Sequence, residues 1–268
     1  MKKIVLFIKG IVIGIATLVP GVSGGTMAII LGVYDKMISS VSSFFKHIKQ
    51  NTIFLGILAC GGVLGIGLFS RLIKYCLAEF KMPTIYLFLG IIMGGIPLLY
   101  KKTNSAHSNK KNYLYFVIGL GLIIIMTFYK GTIINLANSG GILNYLFLLL
   151  AGIIVAIALI LPGISTSFML LTLGLYDITI NAINNLEYNF LIPLIIGIGI
   201  GVITTTKVLE HYLVKKPSQT YMLILGFVLG SIIEVFPGLP HGLDILFSVI
   251  TFILGFILIL FMSKKYSE

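Results

Sequence analysis

Between Leu18 and Asp35 the chain reads LVPGVSGGTMAIILGVYD, which sets a proline, glycines, a serine and a threonine inside an apolar region. Two chemistries suit these residue types. Gly21 to Gly24 spell G-V-S-G, the serine motif of an intramembrane hydrolase, in which Ser23 would be a nucleophile needing a histidine base within reach. The four histidines, His47, His107, His211 and His241, fall in expected loops or at the ends of apolar runs, so that reading lacks its base. The other chemistry uses the backbone. Pro20-Gly21 stops one helix, and Ser23, Gly24, Gly25 and Thr26 open the next one inside the membrane. The first N–H groups of that helix have no partner and carry the positive end of its dipole. Hydroxyls and glycines there let a phosphate or carboxylate come close. Helix capping and tight packing of small residues would account for the same side chains.

A second copy of the motif favours the anion site. ILPGISTSFMLLTLGLYD, Ile160 to Asp177, repeats the first stretch 142 positions later. Pro162, Gly163 and Ser165 fall on Pro20, Gly21 and Ser23, and Met169, Gly174, Tyr176 and Asp177 on Met27, Gly32, Tyr34 and Asp35. Ser165, Thr166 and Ser167 would open a helix in the second copy as Ser23 to Thr26 do in the first. The similarity continues at an offset of 136: SRLIKYCL (70–77) meets TKVLEHYL (206–213), and LGIIMGG (89–95) meets LGFVLGS (225–231). Shared leucines could arise by chance between apolar segments, but a P-G-[VI]-S stretch followed in register by Met and G-[VL]-Y-D could not. The second offset pairs Arg71 with Lys207, two cations suited to a phosphate group or to simple snorkelling at the interface. Glu234, three residues before Pro237, is an acidic residue late in an apolar run and a candidate for proton or sodium coupling. Asp35 and Asp177 end the repeated motif and read as boundary or capping residues.

The elements that position these residues follow from composition. Hydrophobic residues form 58% of the 268, charged ones only 10%, and the mean hydropathy is +1.10, more apolar surface than one soluble core can hide. Continuous apolar runs, without the alternation of a barrel, predict an all-α polytopic membrane protein in the lipid bilayer. Each half reads as a broken hairpin followed by three spans: a hairpin at about 4–38 with spans near 51–70, 84–100 and 113–129, then a hairpin at about 142–180 with spans near 189–206, 219–236 and 244–262. Repeat one thus covers about 1–130 and repeat two about 142–268. The N-terminus resembles a secretory signal, but Lys9 interrupts its apolar stretch and the Pro-Gly segment recurs internally, so it is expected to be mature structure.

Hairpin arms of about 14 to 18 residues are short for a full crossing and predict re-entrant hairpins. If both hairpins return to the face they entered, Lys and Arg divide 15 inside and 4 outside; if each crosses once, they divide 12 and 7. The first division obeys the positive-inside rule better and places both termini in the cytoplasm. Three crossings per half then make the repeats inverted, an arrangement of transporters whose ligand site lies near the midplane. The net charge of +11 belongs to these loop lysines and, with no aromatic-interleaved basic patch, gives no reason to expect nucleic acid. Cys60 and Cys76 form neither a disulfide framework nor a metal spacing. No cofactor or metal is expected, and without a nucleotide-binding motif any transport is secondary or downhill. The residues alone lead to a secondary transporter for an anionic group, lipid or soluble, and leave its oligomeric state open.

With both motifs in place, the chain resembles the bacterial polyprenyl-phosphate transporter family over essentially its whole length. The second motif departs from the family pattern at Thr166, where a glycine is usual. The resemblance implies a non-enzymatic flippase of the bacterial inner membrane that returns undecaprenyl phosphate from the outer to the inner leaflet for cell-wall synthesis. It implies a headgroup site at Pro20 to Thr26 and Pro162 to Ser167, with Arg71 and Lys207 as partners.

Overall fold

The apolar runs fold into helices wherever no proline or glycine pair intervenes. The computed structural model describes residues 3–19, 21–104, 110–128 and 141–266, and among them the chain is all-helical. The first half holds α1 (Lys3–Thr17), α2 (Gly24–Ile30), α3 (Tyr34–Ser42), α4 (Ile48–Glu79), α5 (Lys81–Asn104) and α6 (Tyr113–Phe128). The second holds α7 (Ile142–Ile160), α8 (Thr166–Thr172), α9 (Tyr176–Asn184), α10 (Tyr188–Lys215), α11 (Pro217–Val235) and α12 (Asp244–Tyr266). Six of these, α4, α5, α7, α10, α11 and α12, are long and apolar enough to cross a membrane, and α6 is a shorter apolar helix. The protein is therefore a multi-pass membrane protein. Leu246, Ile250, Leu254 and Ile257 of α12 are exposed, as a helix face in contact with lipid requires.

The two halves carry the same elements in the same order, and the same packing contacts. In the first half Gly61 of α4 lies against the Phe7 carbonyl of α1, Gly65 against Ile11, and Gly10 against Leu58. In the second, Gly197 lies against Leu149, Gly201 against Ile153, and Gly152 against Leu194. Every pair is displaced by the 142 and 136 residues of the sequence repeat. Because residue numbers rise together along each crossing, α1 runs parallel to α4 and α7 parallel to α10. The third helix of each half leaves its own half: α12 packs on α5, with Gly90 at Phe252 and Gly94 at Phe256, while α6 packs on α11, with Gly226 at Phe116 and Gly230 at Ile123. These crossings are parallel as well. A methyl group at most of these glycines would overlap a backbone carbonyl of the neighbour, so small residues set the helix spacing.

Two features depart from the sequence expectation. The second arm of each hairpin is not one helix but two, with α8 and α9 bent by 110°. At the first break Gly32 (φ +66°) donates to Ile29 O at 2.9 Å and Val33 to Ala28 O at 2.9 Å; at the second, Gly174 (φ +70°) donates to Leu171 O and Leu175 to Leu170 O. This Schellman pattern explains the repeated G-[VL]-Y-D: glycine ends one helix, and the aspartate stands in the first turn of the next, where the dipole favours it. In addition, α4 and α10 run on to Glu79 and Lys215, so Arg71 and Lys207 lie within helices rather than at their ends.

Candidate functional site

Both Pro-Gly breaks are turns that only glycine fits. Gly21 (φ +80°) is wedged against Val235 at the end of α11, and Gly163 (φ +86°) against Phe227 and Val228 of the same helix. A side chain at either position would meet both an unfavourable backbone region and an occupied space. Seven residues, about 10 Å of helix rise, separate the two contact points on α11. The breaks thereby reach one another. The Gly163 N–H donates to Thr26 Oγ1 at 2.9 Å, and a methyl group at Gly25 would stand 3.2 Å from Pro162 Cα. Tyr34, fully buried at the start of α3, donates its hydroxyl to the last carbonyl of α7, Ile160 O, at 2.8 Å. Pro20 itself lies outside the described residues.

Around this junction the short helices α2 and α8 begin. Ser23 is the N-cap residue of α2 and Ser165 that of α8; both are buried and extended. The Ser165 hydroxyl accepts from Phe168 N at 3.4 Å, whereas Ser23 makes no such cap bond. Within the first helix, Met27 N is the first donor to bond back, to Ser23 O, so the N–H groups of Gly24, Gly25 and Thr26 precede the intrahelical ladder. The Thr26 hydroxyl accepts from Gly163 and retains its own proton to donate. In the second helix Thr166 is half-buried and Ser167 exposed. The junction gathers backbone and hydroxyl donors, groups of the kind that can hydrogen-bond an oxyanion.

The remaining candidates divide. Glu234 is half-buried with its Oε2 shielded from solvent, and it precedes Val235, the residue against which the first turn rests. Arg71 and Lys207 are exposed and make no hydrogen bond or ion pair among the described residues, so the structure does not tie them to the junction. Ser23 bonds to no histidine there either, which leaves the hydrolase reading without support. Two groups escaped the sequence reading. Lys9, buried in α1, donates to Leu31 O, the carbonyl at the C-cap of α2, at 2.6 Å. Its presence in an apolar helix was the available signal. Asp35 accepts from Lys102 at 2.7 Å and from the Tyr221 hydroxyl, and Lys102 also donates to Tyr221 at 2.9 Å, which fastens α3 to α5 and α11. At the 136-residue offset Lys102 and Tyr221 correspond to Gly238 and Ile85, so the second half has no such group for Asp177.

Comparison with known proteins agrees with this picture. Residues 13–243 match the family described as undecaprenyl phosphate translocase-like. The chain is 36% identical to a Staphylococcus aureus protein named polyprenyl-phosphate transporter, over 99% of this chain and 98% of that one. It is 27% identical to a Vibrio cholerae protein of the same name, over 88% of this chain and 79% of the other. No solved structure matches the chain.

Proposed function

The chain belongs to the undecaprenyl phosphate translocase-like family, and we propose that it moves a polyprenyl phosphate, undecaprenyl phosphate foremost, from the outer to the inner leaflet for reuse in cell-wall synthesis. It is a transporter and not an enzyme. The observation that carries this reading is the meeting of the two Pro-Gly turns, where Gly163 N bonds to Thr26 Oγ1. A phosphate headgroup would lie among Ser23, Gly24, Gly25 and Thr26 on one side and Ser165, Thr166 and Ser167 on the other, with its prenyl chain left in lipid. One site bounded by both hairpins is open to each face in turn if the hairpins rock against each other.

The helix directions support two inverted repeats, about 1–130 and 142–268, each a re-entrant hairpin and three spans. Parallel α1 and α4 are what a returning hairpin produces, since a crossing hairpin would leave them antiparallel; α7 and α10 give the same indication. With α5 and α6 successive antiparallel spans and α6 parallel to α11, α5 runs opposite to its own counterpart α11, as inversion demands. The end of the bundle with Lys102, Lys215 and Lys216 is then cytoplasmic, and the membrane is the bacterial inner one. Glu234, next to the first turn, is the carboxylate best placed to couple transport to protons or sodium. Arg71 and Lys207 would meet the headgroup on its way in or out.

Proteoliposomes holding a short-chain fluorescent prenyl phosphate test the proposal. Protein-dependent movement of the label between leaflets, slowed by unlabelled undecaprenyl phosphate, is the expected result. No such movement, together with uptake of a small soluble anion that prenyl phosphate leaves unchanged, would assign the site to that anion instead.

A further inference from the structure

A crevice of about 590 Å³ opens between α7, α10, α11 and the start of α6. Its wall is apolar, formed by Ile157, Leu161, Val208 and Leu223. Of the three threonines that line it, Thr204 already donates to Ile200 O and Gly201 O and Thr220 to Lys216 O. One end lies at Ile153 and Thr204, and between the ends Leu161, about level with Val208, immediately precedes Pro162 of the second turn. At the other, Tyr212, Lys216 and Gln219 stand at the lysine-rich end of the bundle, and their side chains make no hydrogen bond among the described residues.

A cation, an amide and a phenol above an apolar slot suit one ligand chemistry, an anionic head on a hydrocarbon chain. At about 30 Å³ for each atom-sized group the slot holds on the order of 20 carbons, about the first four isoprene units of a polyprenyl chain, with the remainder left in lipid. The second half alone is equipped in this way. At the 136-residue offset Tyr212, Lys216 and Gln219 correspond to Cys76, Phe80 and Pro83, which supply neither the charge nor the amide.

We propose that this crevice is a second lipid-phosphate site, which seats a polyprenyl phosphate at the lysine-rich face with its headgroup at Lys216 and its first isoprene units along Val208 and Leu161 toward Ile157. The identity of the lipid rests on the transport reading above, and the site itself does not require transport. Lipid leaving the junction past the second turn would enter the slot at Leu161, and the headgroup would come to rest at Lys216.

The full chain, reconstituted with farnesyl phosphate bearing a terminal diazirine, tests this by photolabelling and peptide mapping. Label concentrated at Ile157, Leu161, Val208 and Leu223 is expected, with about tenfold less in Val208→Trp and in the milder Val208→Phe. Lys216→Gln should raise the half-saturating concentration of the probe about tenfold, Lys216→Arg should restore it, and the uncharged farnesol analogue should be indifferent to both. Label spread evenly over the lipid-facing side chains of α12, or displaced as well by phosphatidic acid as by undecaprenyl phosphate, would overturn the site. Transport with no crevice labelling would also refute it while sparing the transporter reading. Crevice labelling in a protein that moves no lipid would do the reverse.

Discussion

Replacing Thr26 by valine removes a single oxygen while keeping the branched shape of the side chain, so it tests the bond between the two hairpins directly. Thr26 is 2% exposed and Gly163, whose N–H it accepts, is buried, which leaves little room for water to substitute. A buried donor that loses its acceptor costs about 1–3 kcal/mol, beyond the smaller net value of the bond itself. For a chain of this size, at roughly 2–4 °C per kcal/mol, a loss of about 2 kcal/mol lowers the midpoint of thermal unfolding by roughly 4–8 °C. The same energy disfavours the arrangement in which the turns meet by a factor of about 30. Transport should fall further than stability implies, because valine also deletes the hydroxyl proton that would face the headgroup. The assay pairs thermal unfolding of the purified protein, followed by circular dichroism, with prenyl phosphate movement in proteoliposomes. Thr26→Ser should restore both. If Thr26→Val unfolds within a degree of the parent and transports normally, the bond holds nothing together. If Thr26→Ser fails as badly as Thr26→Val, the methyl group and not the oxygen is what matters.

Ser23→Ala and Ser165→Ala should each weaken prenyl phosphate binding roughly five- to thirtyfold in an equilibrium binding titration, about 1–2 kcal/mol per hydroxyl; a defect confined to Ser23→Ala would instead favour a serine nucleophile. Gly163→Ala should abolish folded protein in a size-exclusion assay, since φ is +86° and a methyl group would overlap the Val228 backbone, whereas Gly199→Ala, with open space around it, should be stabilising by about 0.5–1 kcal/mol in thermal unfolding. Lys102→Met should leave the unfolding midpoint nearly unchanged, because a partly exposed ion pair contributes only about 0–1 kcal/mol. It should nevertheless increase thiol labelling of Ser40→Cys on α3 severalfold, and unchanged labelling would show that Asp35, Lys102 and Tyr221 do not hold α3 in place.

The sequence alone determined the class, the halves and the motif. Apolar composition decides the solvent, because no soluble core of this length could enclose it, and the recurrence of P-G-[VI]-S with G-[VL]-Y-D marks both turns because each requires residues of particular backbone freedom. The helices around both turns accordingly start and stop close to where glycine and proline placed them, whereas α4 and α10 run past their expected ends. Other features needed the third dimension. That Gly163 donates to Thr26, that both turns rest on α11, and that α6 and α12 each pack on the other half are contacts between segments more than sixty residues apart, which no local pattern encodes. Asp35 with Lys102 and Tyr221, 67 and 186 residues away, is of the same kind, and Lys9 reaches the end of α2 across 22 residues, between two different helices. Local chemistry made Asp35 a boundary residue, and it does occupy the first turn of α3. Its two partners come from α5 and α11, and only the packing of those helices brought them there. Backbone requirements are written locally and so are legible in order along the chain. A junction of donors from distant segments exists only once the hydrophobic faces have chosen their partners.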